Sequence, residues 1–168
     1  MTENSGHIMD MDWYIYEKSG VTPKYVEAHV RAYIKKFGVV PAVFIDYVQK
    51  MRSSDRTNGS TARVESVSNE LQIISKNYGV PMFLLAQLNR ELEKRPDKRP
   101  TVPDIKQSGE LEQDADFIFF IHRPVVYDDS FDDPCLAEII IAKNREGSLG
   151  KIKYDFDGPT QTFKERNF

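Results

Sequence analysis

The feature that most constrains the fold is a short apolar run that ends in a single carboxylate, within Pro41–Met51. Four apolar residues, Ala42–Ile45, lead directly into Asp46. An uninterrupted run of this length, opened by a proline and closed by an acid, is typical of a strand buried on both faces of a parallel sheet. The acid then lies at the carboxyl end of the strand, where open α/β sheets bind their ligands.

Asp46 has two interpretations at this point. In nucleoside triphosphatases, an Asp so placed holds the Mg²⁺ of the nucleotide, usually through water. An Asp after an apolar run also commonly begins a turn or caps a helix. The run alone leaves both open, and the order of the segments downstream favours the first.

Composition places the chain among globular proteins of one domain. Its 168 residues suffice to bury about two-thirds of the unfolded surface. A formal net charge of −3 carries no overall basic signature for nucleic acid, so any such site must be a local patch. The single cysteine, Cys135, excludes an internal disulfide framework and a cysteine-rich zinc site, and suits a reducing cytoplasm. No apolar run approaches the roughly 18–20 residues that span a bilayer, so we expect a cytoplasmic protein without a membrane segment.

The N-terminal residues 1–11 stand apart from the rest. They contain no apolar core of the signal-peptide type, and three methionines punctuate them. We expect this segment to be disordered or a remnant of cloning, and we assign residues 12–168 to one domain.

Helix signals bracket two segments that lie between apolar runs. Thr22 and Pro23 supply an N-cap and a proline for the first helical position, and Gly38 ends the helix that follows. A second stripe at helical spacing covers Val64–Tyr78, after a polar loop over Arg52–Thr61.

Apolar and aromatic runs predict the strands. They are Trp13–Tyr16, Ala42–Ile45, Val80–Ala86 and Phe117–Ile121, followed by a hairpin of Leu136–Lys143 and Lys151–Phe156. The second, third and fourth of these runs have the composition of strands buried on both faces. Strands that alternate with helices predict an α/β fold with a mainly parallel sheet and a C-terminal β-hairpin.

Two of the predicted buried strands end in polar groups, Asp46 and Gln87. The carboxyl ends of parallel strands share one edge, so both side chains can converge on one ligand. An acid on a metal and an amide that contacts a γ-phosphate suit the hydrolysis of a nucleoside triphosphate. A simpler interpretation is that Gln87 caps a following turn, and these two residues alone leave that alternative open.

Longer motifs carry a resemblance to a known family. In order they are Phe44–Tyr47 with Met51, Ala86–Arg90, Lys98–Pro100, Asp104–Asp116 and Ile140–Gly147. From Trp13 onward, the chain resembles the C-terminal motor domain of the DnaB family of replicative DNA helicases. The resemblance implies a RecA-like α/β domain flanked by helices, and a homo-hexamer that couples ATP hydrolysis with Mg²⁺ to translocation on single-stranded DNA and duplex unwinding. It also implies primase and a helicase loader as candidate partners.

The same resemblance assigns nucleotide roles to four residues. Asp46 matches the acid that binds nucleotide Mg²⁺, and Gln87 matches the amide that relays the γ-phosphate state to the DNA-binding loops. Lys143 and Arg145 match the basic pair of a hairpin that reaches the nucleotide of the neighbouring subunit, with Arg145 as the arginine-finger candidate. The alternative for this pair is a solvated hairpin edge.

A DNA-binding role is implied for Lys106, Gln107 and Gly109, which match the loop that holds the backbone of single-stranded DNA. The family usually has Arg then Glu where this chain has Lys then Gln. A lysine keeps the phosphate contact but lacks the bidentate fork of arginine.

One expected motif is not found in the sequence. None of the nine glycines lies in Gly-x-x-x-x-Gly-Lys-Ser/Thr, the loop that cradles nucleotide phosphates. In the family, that loop and the catalytic Glu would both lie upstream of Trp13. We therefore expect residues 12–168 to be a partial domain of a longer helicase, inactive alone. The alternative is a non-catalytic RecA-like module that binds partners or single strands and never hydrolyses ATP.

The missing motif also has a consequence for the sheet. In the family's fold, the phosphate-loop strand is central, between the strand that ends at Gln87 and the strand Phe117–Ile121. Without it, both strands present unpaired apolar edges. We expect the chain to cover these edges by pairing the two strands directly, or by inserting its N-terminal segment or a strand from a second copy.

Overall fold

The computed structural model describes residues 14–54, 59–107 and 109–166, and in these ranges the chain forms three α-helices and six strands. In chain order they are α1 (Pro23–Phe37), β1 (Val43–Ile45), α2 (Ser60–Tyr78), β2 (Met82–Leu84), α3 (Gly109–Asp114), β3 (Phe117–His122), β4 (Leu136–Asn144), β5 (Gly150–Asp157) and β6 (Thr162–Glu165). No helix among these residues is long and apolar enough to cross a membrane.

Helix α1 has the boundaries that its capping residues predict. The Thr22 hydroxyl accepts a hydrogen bond from the backbone N–H of Tyr25 at 3.3 Å, and Pro23 occupies the first turn. Gly38 adopts a φ of 87°, a value that favours glycine, and its N–H donates to the Ile34 carbonyl at 2.7 Å.

Helix α2 carries the centre of the core. Its predicted stripe is confirmed, since Val64, Val67 and Leu71 are at most 1% exposed. The helix begins at Ser60, so the polar loop predicted up to Thr61 is too long by two residues, and residues 55–58 of that loop lie outside the described ranges.

The strands form two sheets, and the α/β class is confirmed. Strands β1 and β2 pair in parallel, with Val43 opposite Met82 and Ile45 opposite Leu84. Strands β3, β4, β5 and β6 form an antiparallel sheet in that order, which contains the predicted hairpin as β4 and β5. Strand β6 adds an edge that the sequence analysis did not predict.

The prediction that three strands are buried on both faces is wrong. Phe44 in β1 is 58% exposed, Phe83 in β2 is 48% exposed, and Phe119 in β3 is 53% exposed. Helices α1 and α2 cover only the face of β1 and β2 that carries the other side chains, such as Ile45 and Met82. On the open face, the rings of Phe44 and Phe83 stack on each other at 4.7 Å.

The expected direct pairing of β2 with β3 is wrong, since the two strands belong to different sheets. The predicted strand Trp13–Tyr16 is also wrong where it can be assessed: Trp13 lies outside the described residues, and 14–16 form no strand. Tyr14 instead packs edge-on against Tyr33 of α1, with ring centroids 5.2 Å apart. Residues 1–13 lie outside the described ranges, so insertion of the N-terminal segment stays a prediction, as does insertion of a strand from a second copy.

A buried ion pair joins the loop before α3 to the antiparallel sheet. Glu138 of β4 is 3% exposed and receives two hydrogen bonds from the Arg99 guanidinium, at 2.6 and 3.1 Å. His122 of β3 lies opposite Glu138 in the sheet and is 5% exposed. Burial lowers the pKa of His122 below its ordinary value, and this effect outweighs the nearby Glu138 carboxylate, which raises it.

We expect the free energy of unfolding to fall between pH 7 and pH 5, and His122→Gln to abolish most of that fall. The folded pKa of His122 is lowered, so below about pH 6.5 the unfolded chain binds a proton that the folded chain does not. The stability contributed by neutral His122 is therefore present above pH 6.5 and lost on acidification, at no more than about 1.4 kcal/mol per pH unit. Urea unfolding at pH 5, 6 and 7 measures this slope.

The matched control is His29→Gln, at the other histidine in the described ranges. It should leave the slope between pH 5 and 7 in place. A slope that survives His122→Gln would contradict the assignment of this titration to His122.

Candidate functional site

Asp46 and Gln87 lie at the same edge of the parallel pair, the one formed by the carboxyl ends of β1 and β2. Asp46 directly follows β1, Gln87 lies three residues after β2, and the Leu85 N–H donates to the Ile45 carbonyl at 2.9 Å to extend the ladder between them. Both side chains are exposed, and neither makes a hydrogen bond or ion pair with any described residue. Asp46 does begin the turn that leads into residues 48–50, as its second interpretation expects, but its side chain caps nothing there. The Gln87 side chain makes no capping bond either. A carboxylate and an amide left free at a strand edge are a donor set that suits a hydrated Mg²⁺ and a phosphate.

Lys106, the first of the predicted DNA-binding residues, lies against this edge. The Lys106 N–H donates to the Gln87 carbonyl at 3.0 Å, and the Asn89 N–H donates to the Asp104 carbonyl at 2.7 Å. These bonds form a short antiparallel bridge between Leu88 and Ile105. The structure therefore brings the predicted DNA-binding residue Lys106 next to the predicted nucleotide-sensing residue Gln87.

Gln107 and Gly109 complete this loop, and Ser108 between them lies outside the described residues. Gln107 has a φ of 63°, which is uncommon for a residue other than glycine, and its buried Oε1 finds no partner in the described part of the chain. Gly109 begins α3. Backbone strain and an unsatisfied polar atom cluster at functional loops more often than elsewhere.

Gln49 is a residue of this site that the sequence analysis missed. It lies in the 3₁₀ turn Val48–Lys50, three residues after Asp46. Its side-chain amide accepts a hydrogen bond from the Gln87 N–H at 3.1 Å and donates to the carbonyls of Gln87 and Lys106, at 3.4 and 3.1 Å. The only signal in the sequence was a polar residue in a turn that follows the Asp46 run.

Lys143 and Arg145 contact the C-terminal end of α3, and none of their side-chain hydrogen bonds within the described residues reaches Asp46 or Gln87. The Lys143 ammonium donates to the carbonyls of Glu112 and Gln113. The Arg145 guanidinium donates to the Gln113 carbonyl at 2.5 Å and to the Asp116 carboxylate at 2.8 Å. Cations are stabilising at a helix C-terminus, where the last carbonyls lack partners within the helix. The pair is thus more than a solvated hairpin edge, although the Arg145 side chain stays 46% exposed.

A second anchored carboxylate fixes the loop that leads to Lys106. Asp104 is 8% exposed and accepts hydrogen bonds from the Thr101 N–H at 2.7 Å, the Thr101 hydroxyl at 2.8 Å and the Arg95 guanidinium at 2.7 Å. Burial by itself raises the pKa of Asp104, but these hydrogen bonds outweigh it and hold the pKa below its ordinary value. The stretch Arg90–Arg99 is therefore held at Arg95 by Asp104 and at Arg99 by Glu138.

Two shallow depressions on the described part of the chain lie on α1 and between α2 and α3, and neither is lined by Asp46, Gln87 or Lys106. No group of three or more His, Cys, Asp or Glu side chains in these ranges could hold a metal ion by itself. Because the Asp46 and Gln87 side chains are both exposed, a nucleotide or metal that binds them would be open to solvent on at least one side.

Comparison with known proteins places this chain beside replicative helicases. A family model described as "DnaB-like helicase C terminal domain" matches residues 1–165. The replicative DNA helicase DnaB of Haemophilus influenzae is 39% identical over 150 residues, which are 89% of this chain and 32% of that protein. The replicative DNA helicase DnaC of Bacillus subtilis is 34% identical over 157 residues, which are 93% of this chain and 34% of that protein. The chain thus spans about a third of the length of the curated relatives it matches.

Two solved structures are similar over almost the whole chain. One is a DnaB-like replicative helicase described together with its interactions with primase; the similarity has a TM-score of 0.91 and 31% identity, and covers 97% of this chain and 39% of that one. The other is a solved ATPase domain with the same TM-score and identity, for which the match covers 97% of this chain and 58% of that one.

We expect Lys143→Ala and Arg145→Ala each to loosen the C-terminal turn of α3. Each change removes a cation that satisfies carbonyls of Glu112 or Gln113, so the amides of residues 111–115 should exchange at least about threefold faster, the effect of a partly exposed charged contact. Native-state hydrogen exchange measures it residue by residue. Lys153→Ala, at an exposed lysine of the neighbouring strand, is the matched control. Equal exchange in all three variants would mean that Lys143 and Arg145 do not stabilise the end of α3 in solution.

Proposed function

Because the chain belongs to the DnaB-like helicase C-terminal domain family, whose model matches residues 1–165, we propose that it forms part of the motor of a hexameric replicative DNA helicase. In the complete protein, this motor couples ATP hydrolysis to translocation on single-stranded DNA and to unwinding of the duplex. The observation that carries the proposal is the hydrogen bonding of Lys106 to Gln87 at the end of the parallel pair where Asp46 also lies, because it joins a residue proposed for DNA to one proposed for the nucleotide.

In this proposal, Asp46 and Gln87 serve the nucleotide. Asp46 would hold the Mg²⁺ of ATP, usually through water, and the free Gln87 amide would contact the terminal phosphate. When bound, the Mg²⁺ ion supplies neutralisation of the charge on the phosphates. Both side chains are exposed and unpaired among the described residues, so they need to give up no protein partner to take these roles.

Lys143 and Arg145 are proposed to serve the nucleotide of the neighbouring subunit, with Arg145 as the arginine finger. To do so, Arg145 must exchange the Asp116 carboxylate for a phosphate. The Asp116 side chain is 66% exposed, and ion pairs in such surroundings contribute about 0–1 kcal/mol. Asp116 can therefore hold Arg145 in place without competing strongly with a phosphate.

The loop Lys106–Gly109 is proposed to hold the backbone of single-stranded DNA. Lys106 is an exposed point charge at the start of the loop, and Gly109, at the first position of α3, has no side chain that would keep a phosphate from the backbone there. Contacts of this kind recognise phosphate and sugar, so binding should depend on salt and not on base sequence.

The partners and the state of the isolated chain are part of the same proposal. We propose a homo-hexamer in the cytoplasm, with primase and a helicase loader as candidate partners. Primase has support from the solved DnaB-like relative described together with it. These 168 residues contain no phosphate-loop motif, so we propose that the isolated chain does not hydrolyse ATP. The same observation keeps a second candidate, a module that binds partners or single strands without hydrolysis.

A complementation assay tests the proposed site. In the complete protein, Asp46→Ala and Arg145→Ala should each abolish ATP turnover, because one removes the metal's anchor and the other a group that acts on the transition state. Mixed rings of the two variants should regain turnover, because an interface between an intact Asp46 and an intact Arg145 is complete. Random mixing in equal amounts completes about one quarter of the interfaces.

Two outcomes would contradict this assignment. Mixed rings as inactive as either parent would mean that Arg145 does not act in trans. Nucleotide affinity in Arg145→Ala that falls as much as turnover would mean that Arg145 binds the ground state and is no finger. Absence of turnover in the unaltered complete protein would favour the non-catalytic module.

Lys106 provides a separate test of the DNA site. In the complete hexamer, Lys106→Ala should reduce the slope of log affinity for single-stranded DNA against log salt by about 0.7 for each phosphate that Lys106 neutralises, with no change in base preference. Lys106→Arg keeps the charge and should keep the slope. Fluorescence anisotropy with two oligonucleotides of different sequence, over a salt series, measures both quantities. If Lys106→Ala and the unaltered protein share one slope, the DNA site lies elsewhere.

A further inference from the structure

We propose that Gln49 is the positioning residue that makes the DNA-binding loop follow the state of Gln87. The proposal rests on the function proposed above, and it assigns to one side chain the coupling between Gln87 and Lys106, the residue at which the proposed DNA-binding loop begins. Gln49 contacts neither nucleotide nor DNA in this role. It acts through the backbone of Gln87 and Lys106.

The side-chain amide of Gln49 pairs with the backbone at the end of the parallel pair as the peptide group of a further strand residue would. Its Oε1 accepts from the Gln87 N–H at 3.1 Å, and its Nε2 donates back to the Gln87 carbonyl at 3.4 Å. A glutamine side chain carries one carbonyl and two N–H donors, so the second N–H is available for the Lys106 carbonyl at 3.1 Å. One side chain thus joins segments that are 38 and 57 residues away in sequence.

The bond to Lys106 decides how the loop can move. The bridge between Leu88 and Ile105 holds the Lys106 N–H against the Gln87 carbonyl at 3.0 Å. The Lys106 carbonyl is the next backbone group along the chain, and within the described residues its partner is the Gln49 amide. Past Ile105, the Lys106 N–H is the last backbone attachment to Gln87, and the chain beyond it can pivot about that bond. The bond from Gln49 adds a second attachment at Lys106, which makes Lys106 move with Gln87.

Gln49 is itself fixed to the turn that carries Asp46. Its neighbour Val48 is fully buried, and the Val48 N–H donates to the Leu85 carbonyl at 3.0 Å. The Gln49 carbonyl accepts a hydrogen bond from the Arg63 guanidinium of α2 at 3.2 Å. The amide therefore projects from a rigid base, and a displacement of either Asp46 or Gln87 reaches Lys106 through it.

The experiment compares Gln49→Met and Gln49→Glu in the complete hexameric protein. Methionine has a similar length but makes none of the three bonds. Glutamate keeps the acceptor for the Gln87 N–H but places a carboxylate against two carbonyl oxygens, so it should be at least as defective. The matched control is Ser75→Ala, which removes a side-chain bond to the Val80 carbonyl of 2.8 Å in a part of α2 that touches neither Gln87 nor Lys106.

Coupling is measured as the ratio of single-stranded DNA affinities in ADP and in a non-hydrolysable ATP analogue, together with ATP turnover with and without DNA. We expect Gln49→Met to reduce the affinity ratio at least about fivefold, and to lower DNA-stimulated turnover by a larger factor than basal turnover. Ser75→Ala should leave both ratios as they are in the unaltered protein.

Three results separate the possibilities. An affinity ratio unchanged in both Gln49 variants overturns the inference. A parallel loss of basal turnover, stimulated turnover and thermal stability also overturns it, because Gln49 would then only support the fold. An unaltered protein that neither hydrolyses ATP nor binds single-stranded DNA would instead overturn the proposed function, and with it the coupling.

Discussion

The parallel pairing of β1 with β2 brings the parts of the candidate site together. It pairs Ile45 with Leu84, so the two strands end at the same position and place Asp46 and Gln87 at one edge. The same edge continues into the bridge between Leu88 and Ile105, which carries the start of the DNA-binding loop. A shift of β2 by one residue would send every side chain of the strand to the opposite face and detach the Gln49 amide from Gln87. The register of three residue pairs thus determines the geometry of the site.

Two kinds of charge pair serve two purposes in this fold. Arg99 and Glu138 form a bidentate pair in which the carboxylate is buried, and Asp104 is buried among hydrogen-bond donors. Removing one partner of such a group leaves an uncompensated polar atom and is costly, so these groups hold the loop before α3 in one place. Arg145 and Asp116 form an exposed pair that is readily exchanged. Buried carboxylates therefore hold the loop before α3 firmly, whereas the exposed Asp116 holds the proposed finger, Arg145, only weakly.

Local signals in the sequence predicted the parts of the fold that local physics determines. Thr22, Pro23 and Gly38 delimit α1 because capping depends on a few adjacent residues. Asp46 and Gln87 could be placed at one edge because strand direction alone decides it. Gln49 was missed because its partners are 38 and 57 residues away and no pattern in the chain connects them. The apolar run at Phe44 was assigned to a strand buried on both faces, since composition records that a residue is apolar but not which segment covers it.

The open apolar face of the strands also affects the thermodynamics of unfolding. Heat capacity rises on unfolding because apolar surface becomes hydrated, and Phe44, Phe83 and Phe119 are about half hydrated before unfolding begins. Each of these rings therefore adds less to the heat-capacity increment than a fully buried ring would, which flattens the curve of stability against temperature. The same rings also add less to the newly exposed area on which denaturants act. Their exposure thus weakens the response of this chain to both heat and denaturant, apart from any role in assembly.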